Sequence, residues 1–156
     1  MVEPAREVVH GTCVALGRRA ALLRGKSGAG KSDLALRFTA LPPQGVLKPM
    51  LVADDQVMIE RDADGALLVS PPESIAGKIE VRGLGIMEVP FLAKANLVLI
   101  CDLVEPENVP RMPPEPPEQA VIAGVPLPIL KLAAFEASAA LKLKMALFPR
   151  PVSQSG

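Results

Sequence analysis

The chain has 156 residues, with 17 Lys and Arg against 17 Asp and Glu, 17 prolines, two cysteines and neither Trp nor Tyr. Zero formal net charge and the missing large aromatics argue against sequence-independent nucleic-acid binding, which needs surplus cations and stacking surfaces. The length and the 49% apolar fraction suffice for one domain with a real core, and the longest apolar run, residues 95–101, is the size of a strand rather than of a membrane span.

Glu3 and Glu7 interrupt the stretch where a secretory leader would be apolar, so a cytoplasmic protein without membrane attachment is expected. Cys13 and Cys101 lie far apart in apolar contexts. With no CxxC and a single His, they read as buried thiols rather than a disulfide or a zinc site.

Residues 8–16 are rich in Val and small side chains and predict a strand. A turn at residues 17–19 and a short buried strand over 20–23 follow. After the sequence GKSGAGKS at 25–32, Leu34, Phe38 and Leu41 fall at i, i+4 and i+7, one face of a helix that Pro42 and Pro43 stop. Residues 50–55 predict a strand ending in two carboxylates, and Asp62, Asp64 and Gly65 a turn into a strand over 66–69. Residues 79–89, IEVRGLGIMEV, form a Gly-rich stretch, and 97–103 a buried strand. Eight of the 17 prolines fall between Pro106 and Pro128, so no helix crosses that region and strands in it are short or at an edge. Leu132, Phe135, Ala139, Leu143 and Ala146 then predict an amphipathic helix over 132–147, which Pro149 ends.

GKSGAGKS fits the phosphate-loop pattern G-x-x-x-x-G-K-[ST]. Gly25, Lys26, Ser27, Gly28, Ala29 and Gly30 form a loop whose backbone N–H groups can surround a phosphate chain. Lys31 reaches the outer phosphates and the Ser32 hydroxyl is placed for Mg²⁺. Such a loop binds a nucleotide without choosing its reaction. Phosphoryl transfer also needs a carboxylate to orient or deprotonate the acceptor, and another for the metal. Three strand-end candidates fill that need, and spacing does not rank them: the adjacent Asp54 and Asp55, Glu80, and Asp102 at the end of an apolar run. Two adjacent acids repel unless a cation lies near, which favours a functional role for the pair.

Four segments in order, Val9-His10-Gly11, GKSGAGKS at 25–32, LVADDQV at 51–57 and EVRGLGIMEV at 80–89, resemble the catalytic domain of HPr kinase/phosphorylase. That bacterial enzyme phosphorylates a serine of the small phosphocarrier protein HPr. The resemblance implies ATP on residues 25–32 with Lys31 at its phosphates, and Mg²⁺ served by Ser32 and Glu80. It further implies Asp55 as the base for the acceptor serine, Asp54 in support, and His10 in the active site. Arg111 matches an arginine of the family, while the segment linked to dephosphorylation is shortened to residues 127–132. The resemblance thus carries the kinase activity and leaves the phosphorylase activity without its usual segments.

The expected fold is α/β, a P-loop-containing mixed sheet with flanking helices, similar to the HPr kinase catalytic domain and to phosphoenolpyruvate carboxykinase. Short connections leave too little chain for a helical crossover between every pair of strands. Residues 1–156 are read as one P-loop kinase catalytic domain without the family's further amino-terminal domain. The partner implied is an HPr-like phosphocarrier of the phosphotransferase system, and the assembly a homo-oligomer, a hexamer by resemblance. The apolar face of 132–147 serves either the core or a subunit contact. Two other readings fit the same loop. A small-molecule kinase or nucleotide hydrolase would turn over ATP without a protein acceptor, and a non-catalytic ATP-sensing module would tolerate Asp55→Ala.

Overall fold

Short apolar runs punctuated by Gly, Pro and Asp produce a strand-rich chain in the computed structural model, which describes residues 6–149. Strands β1 (Arg6–His10) and β2 (Thr12–Leu16) are divided at Gly11, and β3 (Arg19–Arg24) runs through the Gly-rich loop into helix α1 (Lys31–Thr39). Next come β4 (Pro49–Ala53), β5 (Gln56–Arg61) and β6 (Leu67–Ser70), then the hairpin of β7 (Lys78–Val81) and β8 (Gly85–Glu88). The long β9 (Ala95–Leu103), β10 (Gln119–Ile122), β11 (Val125–Leu132) and helix α2 (Ala139–Leu147) complete the order.

The main sheet runs β1-β5-β6-β9-β3-β2-β4, with β11 also pairing β9 and carrying β10 outside it. It is mixed, as the short connections require: β9 is parallel to β3 and to β11, while β2 is antiparallel to both β3 and β4. The strand that feeds the phosphate loop is therefore central, between β9 and β2.

The central strands read as nearly continuous apolar runs because both of their faces are covered. On one face Val14, Leu16, Ala21, Leu23 and Cys101 pack with Leu34, Ala35 and Phe38 of α1 and with Ala139, Leu143 and Leu147 of α2. The opposite face, with Cys13, Ala15, Leu22 and Ile100, meets Val57 and Ile59 of β5, Leu67 and Val69 of β6, and Ile122 and Leu127 of the β10–β11 hairpin. Both helices thus lie in one core, and the second core is closed by strands. A register shift between Ala20 and Ala21 leaves Val98 as an extra residue of β9. That bulge turns Leu99 to the helix side although Leu97 faces the other core.

Two predicted elements are corrected. The strand read over 8–16 is two, β1 and β2, divided at Gly11 and paired to β5 and to β3 and β4 respectively. Leu132 is the last residue of β11 rather than the first turn of a helix, and α2 begins only at Ala139. The parallel ladder decides this: Leu132 pairs Leu103, and its carbonyl accepts the Val104 N–H at 2.9 Å, so its backbone is committed to the sheet. Phe135, counted on the apolar stripe, is 72% exposed.

Prolines enter β11 without cost to its ladder. The Ile129 N–H donates to the Glu118 carbonyl at 2.8 Å, so the odd-numbered residues turn their N–H groups toward β10. Pro126 and Pro128 occupy the even positions, where β10 needs no donor.

Phe38 is fully buried between α1 and the sheet. Phe38→Ala is expected to cost about 3–5 kcal/mol, read as a fall in the denaturant midpoint at unchanged slope. Burial pushes the thiols of Cys13 and Cys101 far above their usual range, with the Asp102 charge adding to the effect at Cys101. Iodoacetamide at about pH 8 should therefore label them only after denaturant is added.

Candidate phosphate-binding and active site

The phosphate loop is built where β3 ends. Arg24 and Asp102 face each other across the β3–β9 ladder and form a two-pronged ion pair, Nε to Oδ1 at 2.7 Å and Nη2 to Oδ2 at 3.0 Å. The carboxylate raises the Arg24 pKa, chiefly through this hydrogen bond. Gly25 follows directly, and a Cβ there would lie 2.9 Å from the Ala29 Cβ, so the loop closes on itself only with glycine. Asp102, a sequence candidate for the metal, is thus engaged by Arg24. It anchors the start of the loop and does not line the cleft.

Gly28 and Gly30 take φ values of 84° and 95°, in the left-handed region. Left-handed residues at alternate positions are the geometry of a nest that aims N–H groups at an anion. At Gly30 close approach adds a second demand, because a Cβ would meet the Phe135 ring at 2.9 Å and the Ala134 Cβ at 3.0 Å. The Lys31 ammonium donates to the carbonyls of Gly25 and Lys26 at 2.7 and 3.1 Å, which holds it over the loop that its own helix leaves. Lys26 and Ala29 close the turn between them, the Ala29 N–H donating to the Lys26 carbonyl at 3.0 Å.

Asp54 ties the remaining parts together. It is 6% exposed. Its Oδ1 accepts the hydroxyls of Thr12 and Ser32, each at 2.8 Å, and its Oδ2 accepts the Glu80 N–H at 3.2 Å. One carboxylate therefore joins β2, the first turn of α1 and the β7 strand. The Ser32 hydroxyl, having donated to Asp54, keeps its lone pairs for a cation.

Asp55 differs from its neighbour in every respect. It is exposed, with φ of 73°, unusual for a residue with a side chain. Backbone bonds hold this turn: the Asp55 carbonyl accepts the Gly11 N–H at 3.1 Å, and the Gln56 N–H reaches the Asp54 carbonyl at 2.9 Å. No hydrogen bond or ion pair among the described residues engages the Asp55 carboxylate. Strain of this kind, about 1–3 kcal/mol, persists where surrounding structure fixes it and points to a functional position.

A cleft of about 380 Å³ opens over these groups, and Ser27, Gly28, Gly30, Lys31 and Ser32 line it. Asp54, Asp55 and Glu80 line it too, so residues 54, 55 and 80 meet the Gly-rich loop in one place. His10 and Arg111 are not brought in. His10 is exposed at the end of β1, paired with Gln56 beside the Asp55 turn, and Arg111 lies in an exposed bend before β10. Thr12, Arg82 and Phe135 also line the cleft. Nothing in their spacing marks them. Thr12 reads as one more strand residue, Arg82 as a hairpin charge, and Phe135 as a member of a helical stripe.

The donor set is all oxygen. Among the described residues no group of three or more His, Cys, Asp or Glu is arranged to hold a metal. A hydroxyl with one or two carboxylates fits a Mg²⁺ ion that draws its other ligands from phosphate and water. No helix among the described residues is long and apolar enough to cross a membrane.

Comparison with known proteins gives the same answer from several directions. The family model for the HPr Serine kinase C-terminal domain matches residues 4–109. The HPr kinase/phosphorylase of Geobacillus sp. (strain WCH70) is 40% identical over 90 residues, 58% of this chain and 27% of that protein. That of Clostridium tetani is 40% identical over 91 residues, 58% of this chain and 28% of the relative. The Exiguobacterium sibiricum protein is 34% identical over 102 residues, 61% of this chain and 31% of the relative. The chain thus spans under a third of the length of these curated relatives. The solved structure of the Hpr(Ser) kinase/phosphatase from Coxiella burnetii superposes with a TM-score of 0.73, at 24% identity, over 90% of this chain and 87% of that one, which shows the fold. With 106 of its 156 residues matched by the family model, and with the phosphate loop, the acidic pair and Glu80 gathered at one cleft, this chain belongs to the HPr serine kinase C-terminal domain family.

Proposed function

We propose that the protein is an ATP-dependent protein serine kinase whose substrate is HPr or an HPr-like phosphocarrier, acting in phosphotransferase-system regulation in the cytoplasm. The observation that carries this reading is the pairing of a saturated Asp54 with an unengaged Asp55 above the phosphate loop. Hydrolysis needs only a water-sized approach to the outer phosphate. A strained, exposed carboxylate at the rim of an open cleft suits a hydroxyl brought in by another macromolecule.

The triphosphate of ATP would lie on residues 25–32, neutralised by Lys31 and by the N–H groups of the loop and the first turn of α1. Ser32 and Glu80 are the residues that would hold Mg²⁺, and the ion, when bound, neutralises charge on the phosphoryl group being transferred. Asp54 fixes both of these groups, because it accepts the Ser32 hydroxyl and the Glu80 N–H together. Asp55 would accept the proton of the acceptor serine as the serine oxygen bonds to the terminal phosphorus and the bond from that phosphorus to the bridging oxygen breaks, ADP leaving. Arg82, which also lines the cleft, would offer its guanidinium to the charge that develops.

His10 joins this reading as a rim residue beside the Asp55 turn, and Arg111 as one that only a docked carrier would bring near the cleft. A hexameric assembly stands with them as an implication of the resemblance. Residues 127–132, the place of the segment linked to dephosphorylation, run as part of β11 between β10 and β9.

Purified protein with labelled ATP and HPr-like proteins should yield a phosphoserine carrier. Bound nucleotide without transfer to any carrier, or steady ATP turnover indifferent to the carrier, would overturn the proposal. Asp55→Asn is expected to lower transfer by about 100-fold to 10,000-fold while ATP affinity stays within about tenfold, since the lost interaction belongs to the transition state. Asp102→Asn should keep transfer within about tenfold, measured on the folded variant, because Asp102 serves Arg24 and not the substrate.

A further inference from the structure

The lining of the cleft is chemically mixed. Asp54 gathers Thr12, Ser32 and Glu80. The same lining includes two apolar side chains that the core does not use, Leu36, 37% exposed, and Phe135, 72% exposed. Leu36 lies four residues beyond Ser32, on the same face of α1.

Phe135 is not a loosely hung side chain. The Arg37 guanidinium of α1 donates to the carbonyls on either side of it, to Ala134 and, at 3.2 Å, to Glu136. Arg37 is itself oriented by Asp33 at 2.9 Å, and the Glu136 carboxylate is tied to Lys142 at 3.1 Å. The backbone at 135 is thus clamped to the helix that begins at the phosphate loop. Ala134, 4% exposed, supplies the core contact, and the neighbouring ring is left over the loop glycine, close enough that any side chain at residue 30 would strike it. Exposing an aromatic ring costs solvation free energy, and fixing its backbone adds rigidity that packing does not require here. An exposed aromatic ring on a clamped backbone, with its Cζ and Cε1 edge against Gly30 of the loop, offers a surface for a flat π-system attached to a phosphate chain.

We infer that Phe135, which lines the cleft together with Leu36, is the nucleobase platform of this site: the base stacks on the ring while the phosphates occupy residues 25–32. This rests on the proposed nucleotide reading of the loop and adds to it the residues that hold the non-phosphate half of the ligand. The contribution expected is that of one base–aromatic stack, about tenfold in affinity.

Binding of ATP and of inorganic tripolyphosphate to the intact chain tests it. Phe135→Ala, at an exposed site, should weaken ATP about tenfold and leave tripolyphosphate unchanged, and Phe135→Trp should restore ATP binding. The chain has no Trp, so Phe135→Trp introduces its only indole, whose emission should be quenched by ATP and not by tripolyphosphate. ATP binding equal to wild type in Phe135→Ala would overturn the inference. Equal quenching by the two ligands, or an emission change that follows protein concentration alone and so marks a contact between copies, would overturn it too. Wild-type protein that binds neither ligand would instead overturn the nucleotide reading of the loop itself, and the platform with it.

Discussion

The site depends on one buried carboxylate. Asp54 accepts hydrogen bonds from β2, from the first turn of α1 and from β7, three segments that are remote in sequence. A carboxylate taken out of water must have its lone pairs occupied, and Asp54 meets that demand with two hydroxyls and one backbone N–H. In doing so it sets the spacing between the phosphate loop and the β7–β8 hairpin, which belongs to a separate small sheet and has only a limited hold on the rest of the molecule. Ile79, buried against the helix-side core, is the apolar half of that attachment, and Asp54 is the polar half.

A second constraint lies on the other side of the loop. The Arg24–Asp102 pair closes the ends of two parallel strands just where the chain must turn into the loop, and the Arg37 clamp holds the 133–138 segment against α1. The loop is therefore bounded by one rigid strand pair and one rigid turn. Its glycines follow from that confinement: Gly25 and Gly30 have neighbours where a Cβ would be, whereas Gly28 has open space and is needed for its backbone angle alone.

Much of this was legible in the residues. The Gly-rich loop, the strand before it, α1 and the acidic pair follow from local pattern, because a Gly-rich segment ending in Lys-Ser between an apolar run and a helical stripe fits a strand–loop–helix unit. The mixed character of the sheet also follows, from connections too short for crossovers. The carboxylates could not be ranked from spacing, and the reason is now visible. Asp54 and Asp55 follow the end of β4 and Asp102 lies next to the end of β9, but one is bonded by two hydroxyls and a backbone N–H, one is strained and unengaged, and one is held by an arginine. Those differences come from partners 22 to 78 residues away, such as Ser32 for Asp54 and Arg24 for Asp102.

The last third of the chain divides the two levels most sharply. Sequence alone determined that no helix runs through residues 106–128, where the structure has only the 3-10 turn Pro106–Asn108, since eight prolines remove the donors and fix the backbone, and it also determined that the chain ends its apolar pattern in a helix. Tertiary structure decided where that helix starts. An apolar residue at helical spacing is equally an apolar residue at the end of a strand, and only β9, lying beside it, could claim Leu132 for the parallel ladder. With Leu132 in the sheet, Phe135 leaves the core and stands over the phosphate loop. Local pattern fixes which residues can bury themselves, but the partner that a backbone hydrogen-bonds to settles which of them do.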